Sequence, residues 1–341
     1  MIKYSTYKYI LRYVIFLYII FILLSLSACT AKSGISVTNP EAASPAPVIS
    51  MTASGSPAPD TGPIAPTPAN RPILSEDSLN VRGCTISLGE TTDSLELKLG
   101  TPNRIDSAEY DFDYYVYNND YSRLLFIFVK DGKVTGFYTD SEDFNYNGIT
   151  AGSGIRKVNQ SLNSSFSAKE VLTKETEDYT IHVLMDASDT PRVTGIYVLP
   201  AQLKQREYTD NVIRGIELMV YDLTNSIRVR NDEYLLTWSS SAALSSRKHS
   251  LDMADNNFFD HVNLLGRKAG DRMREAGIFY STCGENIIAG YDNAILSTHA
   301  LYNSKSQREV ILHPKFRYLG VGFVYKEESS YKTYITQNFY R

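Results

Sequence analysis

The residues best suited to chemistry are His261 and Glu285, which lie in the stretch NFFDHVNLLGRKAGDRMREAGIFYSTCGEN (257–286). A short helix is predicted between them, and Glu285 falls in the triplet Gly284-Glu285-Asn286, which we predict to be a tight turn. An imidazole and a carboxylate held by one loop–helix–turn unit can bind a metal, share a proton, or tie the turn to the helix. These two residues alone leave all three roles open.

Hydrolysis would require more than this pair, because a hydrolase also needs a nucleophile or activated water and a set of oxyanion donors. The sequence has no Gly-x-Ser-x-Gly motif. Cys283 lies beside the predicted turn, but no residue near it in sequence is an evident partner for a thiolate. We therefore favour a structural role, in which Glu285 accepts hydrogen bonds from the loop backbone and from His261.

The elements that must position this pair are predicted in residues 205–341. A first helix starts near Thr209 and has one apolar stripe, and a second buries Leu244, Leu251, Ala254 and Phe258 and carries His249 as a packing or surface residue. The remaining predicted elements are a helix over Gly270–Ala276 that stops at Gly277, a helix over Asp292–Ser304 capped by Asp292, and two strands, Tyr318–Tyr325 and Lys332–Phe339.

Several short motifs occur in this part in a fixed order. They are HSLDMA (249–254), FFDH (258–261), DRM (271–273), AG (276–277), GENI (284–287), NS (303–304), IL (311–312), GVG (320–322) and TQNF (336–339). The series resembles a bacterial member of the CAP superfamily, which comprises cysteine-rich secretory proteins, antigen 5 and pathogenesis-related 1 proteins. The resemblance covers residues 205–341 and implies an α–β–α sandwich with a small antiparallel sheet.

Family members carry a cleft with two histidines and acidic residues, which in some members binds zinc or another divalent ion. By position, the resemblance makes His261 the first histidine and Glu285 the first acid. Gln307 stands where the second histidine normally precedes an arginine, and Ser304 stands where eukaryotic members have the second acid. The resemblance thus implies a cleft formed by His261, Glu285, Ser304 and Gln307.

The glutamine at position 307 weakens the expected metal site. Zinc sites commonly use three or four nitrogen, sulfur or oxygen donors, and a neutral amide is a poor ligand beside imidazole. His299 is expected to point elsewhere, and His313 is a weak substitute. We predict no tightly bound cofactor, and at most a weak divalent-metal site that uses His261 and His313.

The glutamine in place of the second histidine favours a non-catalytic module that binds an extracellular ligand. The resemblance implies that the ligand is a lipid, a peptide or a protein. One alternative is a cell-envelope hydrolase that uses His261 and Glu285. A second alternative is a purely structural protein of the cell wall.

Residues 81–204 are predicted to form a duplicated α+β domain. Ile86, Gly89, Leu95 and Leu99 recur at a constant offset of 63 as Ile149, Gly152, Val158 and Leu162, and β-rich runs follow each copy. Asp131-Gly132 predicts a hairpin between two of these runs. The segment Leu99-Gly100-Thr101-Pro102 resembles the N-terminal module that accompanies CAP domains in many Firmicutes lipoproteins. The lone His182, in an alternating strand, is interpreted as structural.

The first 29 residues have the pattern of a bacterial lipoprotein signal peptide. Lys3, Lys8 and Arg12 precede an apolar run of 14 residues with one serine, which is too short to span a bilayer. The run leads to Leu26-Ser27-Ala28-Cys29, which resembles a lipobox whose cysteine is lipidated. We therefore expect an extracytoplasmic protein that is anchored to the cell membrane through Cys29. The alternative is an uncleaved membrane anchor in which the cysteine is incidental, and it places the rest of the chain on the same side of the membrane.

Residues 30–80 contain nine of the 13 prolines, and this composition predicts a disordered linker. Residues 30–204 contain 14 basic and 22 acidic side chains, whereas residues 205–341 contain 17 and 16. Neither part is basic enough to favour nucleic acid as a partner. Cys84 and Cys283 could pair in an oxidising compartment or remain free thiols.

Overall fold

The computed structural model describes residues 78–341. The predicted signal peptide, Cys29 and nearly all of the predicted linker lie outside this range. The N-terminal domain contains two short helices and eleven strands: β1 (Ser78–Val81), β2 (Cys84–Ser87), α1 (Thr92–Leu99), β3 (Arg104–Ser107), β4 (Asp113–Tyr117), β5 (Leu125–Lys130), β6 (Lys133–Thr139), β7 (Asn145–Tyr146), β8 (Ile149–Thr150), α2 (Ile155–Leu162), β9 (Val171–Glu175), β10 (Tyr179–Met185) and β11 (Val193–Pro200).

These strands form a seven-stranded antiparallel sheet in the order β3-β4-β5-β6-β11-β10-β9 and a small sheet in the order β2-β1-β7-β8. Each repeat of the sequence contributes one helix and one side of the larger sheet, and the two sides meet where β6 pairs with β11. Gly89 and Gly152 both have positive φ, and their backbone N–H groups donate to the carbonyls of Val134 and Val193, near the starts of β6 and β11. The predicted duplicated α+β domain is therefore confirmed.

Two local predictions for this domain concern the Asp131-Gly132 hairpin and the end of the linker. Asp131 and Gly132 join β5 to β6 with φ values of 50° and 71°, as a type I′ hairpin turn requires, so the predicted hairpin is confirmed. Strand β1, which pairs with β2 and β7, includes the last three residues of the predicted linker.

The C-terminal domain is an α–β–α sandwich. Its elements are α3 (Asp210–Val229), β12 (Thr237–Trp238), α4 (Ser240–Asn256), α5 (Ala269–Glu275), β13 (Cys283–Ala289), α6 (Ala294–Asn303), α7 (Lys305–Ile311), β14 (Tyr318–Tyr325) and β15 (Thr333–Tyr340). The sheet order is β12-β14-β15-β13, and all pairs are antiparallel except the short β12–β14 pair. Helices α4 and α5 cover one face of this sheet, and α3, α6 and α7 cover the other. The predicted fold class is confirmed.

The buried face of α4 differs from the predicted one. Leu244 and Leu251 are about half exposed, at 48% and 46%. Helix α4 instead packs its backbone against β14, where a Cβ at Gly320 or Gly322 would come within about 2 Å of the helix backbone. Such a close approach admits small side chains, so the buried face consists mainly of Ala242, Ala243, Ser245, Ser246 and Ser250.

Two further predictions for this domain were wrong. Asn293 caps α6, because its side chain accepts a hydrogen bond from Leu296 N, and Asp292 lies before the cap. Gly284-Glu285-Asn286 is not a tight turn but the start of β13, paired along its length with β15. Helix α5 does end before Gly277, which has a φ of 76°.

The two domains share one continuous apolar core along α3. Charged pairs cross the same junction. Arg104 Nη2 contacts Asp222 Oδ2 at 2.6 Å, and Arg230 Nη2 contacts Asp140 Oδ2 at 2.9 Å. No helix within residues 78–341 is sufficiently long and apolar to cross a membrane.

Candidate functional site

The structure brings His261 and Glu285 into direct contact. His261 lies in the loop after α4, and its Nδ1 lies 3.0 Å from Glu285 Oε1 on β13. A carboxylate oxygen accepts, so Nδ1 carries the proton and Nε2 is left for other partners. The side chain of His261 is 34% exposed and that of Glu285 is 3% exposed. The imidazole is therefore the part of the pair that a ligand can reach.

Arg272, on α5, holds the other side of Glu285. Its Nη2 donates to Glu285 Oε2 at 2.5 Å, and its Nη1 donates to the backbone oxygens of His261 at 2.9 Å and Arg267 at 2.7 Å. One buried guanidinium thus joins the carboxylate to both ends of the loop. Sequence reasoning assigned no role to Arg272. The signal available was its place in the motif Asp271-Arg272-Met273.

His249 supports the loop through a hydrogen bond to its backbone. Its Nε2 lies 3.0 Å from the carbonyl oxygen of Asp260 and 3.9 Å from Glu285 Oε1. A carbonyl oxygen can only accept a hydrogen bond, so Nε2 is the donor. The side chain is fully buried, and burial lowers the pKa of His249. Of the two predicted roles, the packing role is correct and the surface role is wrong.

The environment of Glu285 keeps its carboxylate charged. Burial raises the pKa of Glu285, but the hydrogen bond from His261 and the positive charges around it lower that pKa by more, so the net shift is downward. The carboxylate accepts the expected hydrogen bond from His261. Its second hydrogen bond comes from the guanidinium of Arg272 and not, as expected, from the loop backbone. Glu285 is a buried anion that joins the loop, α5 and β13.

Gln307 and Ser304 do not join this cluster. Successive side chains of a strand point to opposite faces, and Asn286, next to Glu285, donates to the backbone oxygen of Gln307 at 3.1 Å and to Gln337 Oε1 at 3.3 Å. Gln337 in turn donates to Thr224 of α3. Gln307 thus contacts β13 through the residue next to Glu285, and the expected cleft of four residues stays a prediction. Ser304 lies at the junction of α6 and α7 and forms no side-chain cap.

Two parts of the chain match known protein families. Residues 221–339 match the cysteine-rich secretory protein family (CAP), and residues 88–199 match the CAP-associated N-terminal family. The chain carries a CAP domain. The recognised resemblance is thereby confirmed for both domains.

Two relatives come from Bacillus subtilis (strain 168). One, an uncharacterized membrane protein named YlbC, is 28% identical over an alignment of 291 residues, and the match covers 74% of this chain and 82% of YlbC. The other, an uncharacterized protein named YkwD, is 36% identical over 112 residues, which is 33% of this chain and 44% of YkwD.

Two solved structures share the fold. An extracellular protein containing a SCP domain, from Bacillus anthracis str. Ames, matches with a TM-score of 0.59 and 23% identity over 83% of this chain and 100% of its own. A cysteine-rich secretory protein from Staphylococcus aureus subsp. aureus Mu50 matches with a TM-score of 0.57 and 16% identity over 74% of this chain and 93% of its own.

The other histidines of the described chain have local partners. The ring of His313 stacks on Phe316, with centroids 4.5 Å apart, and its Nδ1 accepts a hydrogen bond from Lys315 N. His299 Nε2 lies 2.9 Å from the backbone oxygen of Glu170 in the N-terminal domain. His182 Nδ1 lies 2.9 Å from Thr173 Oγ1 on the neighbouring strand. None of these contacts involves His261.

The CAP-domain pair does not fit a zinc site. Both Glu285 oxygens accept hydrogen bonds within the protein, and the positive charge of Arg272 opposes a cation there. His249 Nε2 donates to the Asp260 carbonyl, and the two ring nitrogens that remain, His249 Nδ1 and His261 Nε2, fall short of the three or four ligands of a zinc site. Within residues 78–341, no group of three or more His, Cys, Asp or Glu side chains could hold a metal ion. The weak substitute ligand His313 is not part of such a group.

The two cysteines of the described chain are free, half-buried thiols, so the pairing alternative is wrong. Cys283 starts β13 and packs beside Tyr280. Burial raises the pKa of the Cys283 thiol. A protonated thiol is a weak nucleophile, so Cys283 does not supply the attacking group that a hydrolase would need.

Proposed function

We propose that this protein is a membrane-tethered, extracytoplasmic binding module of the cell envelope, and that its CAP domain holds a ligand without converting it. The tether is the lipidated Cys29 expected from the signal sequence. Two relatives support the location: YlbC is named a membrane protein, and the Bacillus anthracis neighbour is named an extracellular protein. The ligand belongs to the classes that the resemblance offers, which are lipids, peptides and proteins.

One observation carries the non-catalytic assignment: both oxygens of Glu285 are already used inside the protein, by His261 and by Arg272. A carboxylate with a nearby guanidinium cannot readily take up a further proton, since its pKa is lowered. The part of the site open to a ligand is the exposed edge of His261, which offers one nitrogen for hydrogen bonding. Such a site recognises a group on a ligand but has no nucleophile of its own.

The test separates retention from turnover. The purified full chain and its His261→Ala variant would be incubated with isolated cell-wall and membrane fractions, and both sedimentation of the protein and release of soluble fragments would be measured. We expect the wild-type chain to sediment with a fraction and release nothing, and the variant to lose retention while its free energy of unfolding falls by only about 1 kcal/mol.

A hydrolase is the second candidate, because Glu285 orients His261 through Nδ1 as an acid orients a general base. That function requires fragments to be released by the wild-type chain and not by His261→Ala. A purely structural role instead requires the variant to lose stability but keep its retention. Each outcome excludes the other two.

The tether has its own test. Replacing Cys29 with Ala should leave the precursor unprocessed or release the protein from the membrane fraction, and it should abolish labelling with a fatty acid. Normal processing and labelling of the variant would contradict a lipid anchor at Cys29.

A further inference from the structure

We propose that an open groove in the N-terminal domain binds the phosphate groups of an anionic chain. The groove has a volume of about 520 Å³ and runs between the first turn of α2 and the loop that precedes β11. Its charged side chains are Arg156, Lys157, Arg192 and Asp189, so cations outnumber carboxylates three to one. This surface lies in a different domain from His261, and the inference is independent of the function proposed above.

The groove is basic although its domain is acidic. Residues 78–204 contain 12 basic and 18 acidic side chains. Arg156, Lys157 and Arg192 are exposed, and none of the three forms an ion pair in the described part of the chain, where most other arginines do. Three unpaired cations that line one groove produce a local positive potential, which attracts anions.

The duplication provides an internal control for this groove. At the offset of 63, the first repeat has Thr91, Asp93 and Ser94 where the second has Gly154, Arg156 and Lys157. In the first repeat, the Thr91 side chain caps α1 and an acidic residue occupies the first turn. Both features stabilise a helix N-terminus. The second repeat keeps the same backbone and replaces both features.

The replacement is unfavourable for the helix itself, since cations near a helix N-terminus oppose its dipole. Positions where a sequence departs from a local rule without a structural gain are frequent at functional sites. Gly154 also makes room for Arg192, because a Cβ at this position would lie 3.1 Å from Arg192 Nη1. The three cations are therefore brought together at the expense of local helix stability.

Phosphate is the chemical group that this surface fits. A guanidinium donates two parallel hydrogen bonds to phosphate oxygens, and an ammonium adds a compact charge. The groove is open to solvent, and its other lining residues include Gln160, Ala168, Thr190 and Pro191. An extended chain with repeated phosphates can thus lie in it without entering a closed cavity.

The experiment measures binding of linear inorganic polyphosphate to the full chain at about 150 mM salt, where long-range attraction is screened. We expect R156Q/K157Q to weaken binding by about tenfold or more, because two charge-assisted contacts are lost. The control K248Q/K305Q removes the same charge from two exposed positions of the C-terminal domain, and it should change binding by less than about twofold. The control should unfold as the wild-type chain does, since Lys248 and Lys305 are exposed, and R156Q/K157Q should be equally or slightly more stable because it removes two cations from a helix N-terminus.

Three outcomes would overturn the proposal. The first is that the wild-type chain does not bind polyphosphate, and the second is that the two double variants lose polyphosphate binding equally. The third is that R156Q/K157Q keeps polyphosphate binding and loses only its binding to vesicles of anionic phospholipid, which would assign the groove to a membrane surface. The single variant His261→Ala should keep full polyphosphate binding. That result distinguishes failure of this groove from failure of the CAP-domain site.

Discussion

Two buried carboxyl groups, one in each domain, show how differently this protein treats the same chemical group. Glu109 is fully buried at the domain junction. Its Oε2 accepts a hydrogen bond from Tyr114 at 2.9 Å, and its Oε1 has no partner. Burial raises the pKa of Glu109 to about 7. Glu285 is almost as deeply buried, yet its pKa is lowered.

The difference comes from the basic groups that surround only one of them. Glu285 meets Arg272 and two histidines, whereas the titratable groups that face Glu109 are Tyr110, Tyr114, Tyr197 and Tyr208 together with Asp292. None of these can supply a positive charge. The CAP domain therefore keeps a permanent anion that fixes the His261 loop, and the domain junction keeps a carboxyl that is stable as a neutral acid.

The largest effect is expected when the cation beside Glu285 is removed. Arg272→Met leaves a buried carboxylate without its guanidinium partner and leaves the His261 carbonyl without its donor, so we expect a loss of about 3–5 kcal/mol in the free energy of unfolding. Denaturant unfolding at neutral pH measures it. Arg274→Met, in the same helix, breaks an exposed ion pair with Asp271 and should cost at most about 1 kcal/mol. Equal costs for the two variants would remove the contrast between Glu285 and Glu109.

The next effect is the pH dependence that Glu109 should cause. Its folded-state pKa of about 7 lies above the ordinary value of 4.5, so stabilisation present below about pH 4.5 is lost as pH rises towards 7. The loss should reach about 3 kcal/mol, given 1.36 kcal/mol for each pKa unit.

Glu109→Gln removes the titrating group, so its free energy of unfolding should fall less between pH 5 and pH 8 than that of the wild-type chain. Asp111→Asn, at a partly exposed ion pair with Lys130 in the same domain, is the matched control and should leave the wild-type slope. A slope unchanged by Glu109→Gln would show that this carboxyl is already ionised at pH 5.

A smaller effect is expected at His249, which supports the loop without touching solvent. His249→Leu keeps much of the volume but leaves the Asp260 carbonyl without its donor, at a cost of about 1–3 kcal/mol. Unfolding measures the cost, and exchange of the loop amides should become faster. Lys248→Leu, at the exposed neighbouring position, is the control and should change neither quantity. Unchanged loop exchange in His249→Leu would contradict the supporting role.

The surroundings of these two carboxyl groups also show which features can be predicted from the sequence. Periodicity and turn signals act within a few residues, so the repeats, the Asp131-Gly132 hairpin and the long helix α3 were predictable. Arg272, His249 and Glu285 meet through the packing of α4 and α5 on β13, which local patterns do not encode. The same limit explains the misread triplet at 284–286, because its pairing partner β15 lies about 50 residues later.

The contact between Asn286 and Gln307 was unpredictable for a related reason. Motif order places His261, Glu285, Ser304 and Gln307 in one list, but a strand sends neighbouring side chains to opposite faces. Because Glu285 and Asn286 are neighbours on β13, the bond from Asn286 to the backbone of Gln307 lies on the face opposite the Glu285 carboxylate. The small residues of α4 were likewise unpredictable, because the two glycines that demand them lie on β14.

The smallest change in stability is expected at His261, although its effect on binding should be the largest. His261→Asn keeps a donor at the position of Nδ1 and removes Nε2, so Glu285 retains a partner and the free energy of unfolding should change by less than about 0.5 kcal/mol. His261→Ala removes the donor as well and should cost about 1 kcal/mol. The pKa of Glu285 should rise in the alanine variant, so less of its stabilisation should be lost as pH falls through the acid range.

If Nε2 is the atom that meets the ligand, both variants should lose retention on the envelope fraction equally, despite their different stabilities. Full retention by His261→Asn would instead mean that the imidazole serves the carboxylate alone, and the buried anion of the CAP domain would then be a structural device like the buried acid of its neighbour.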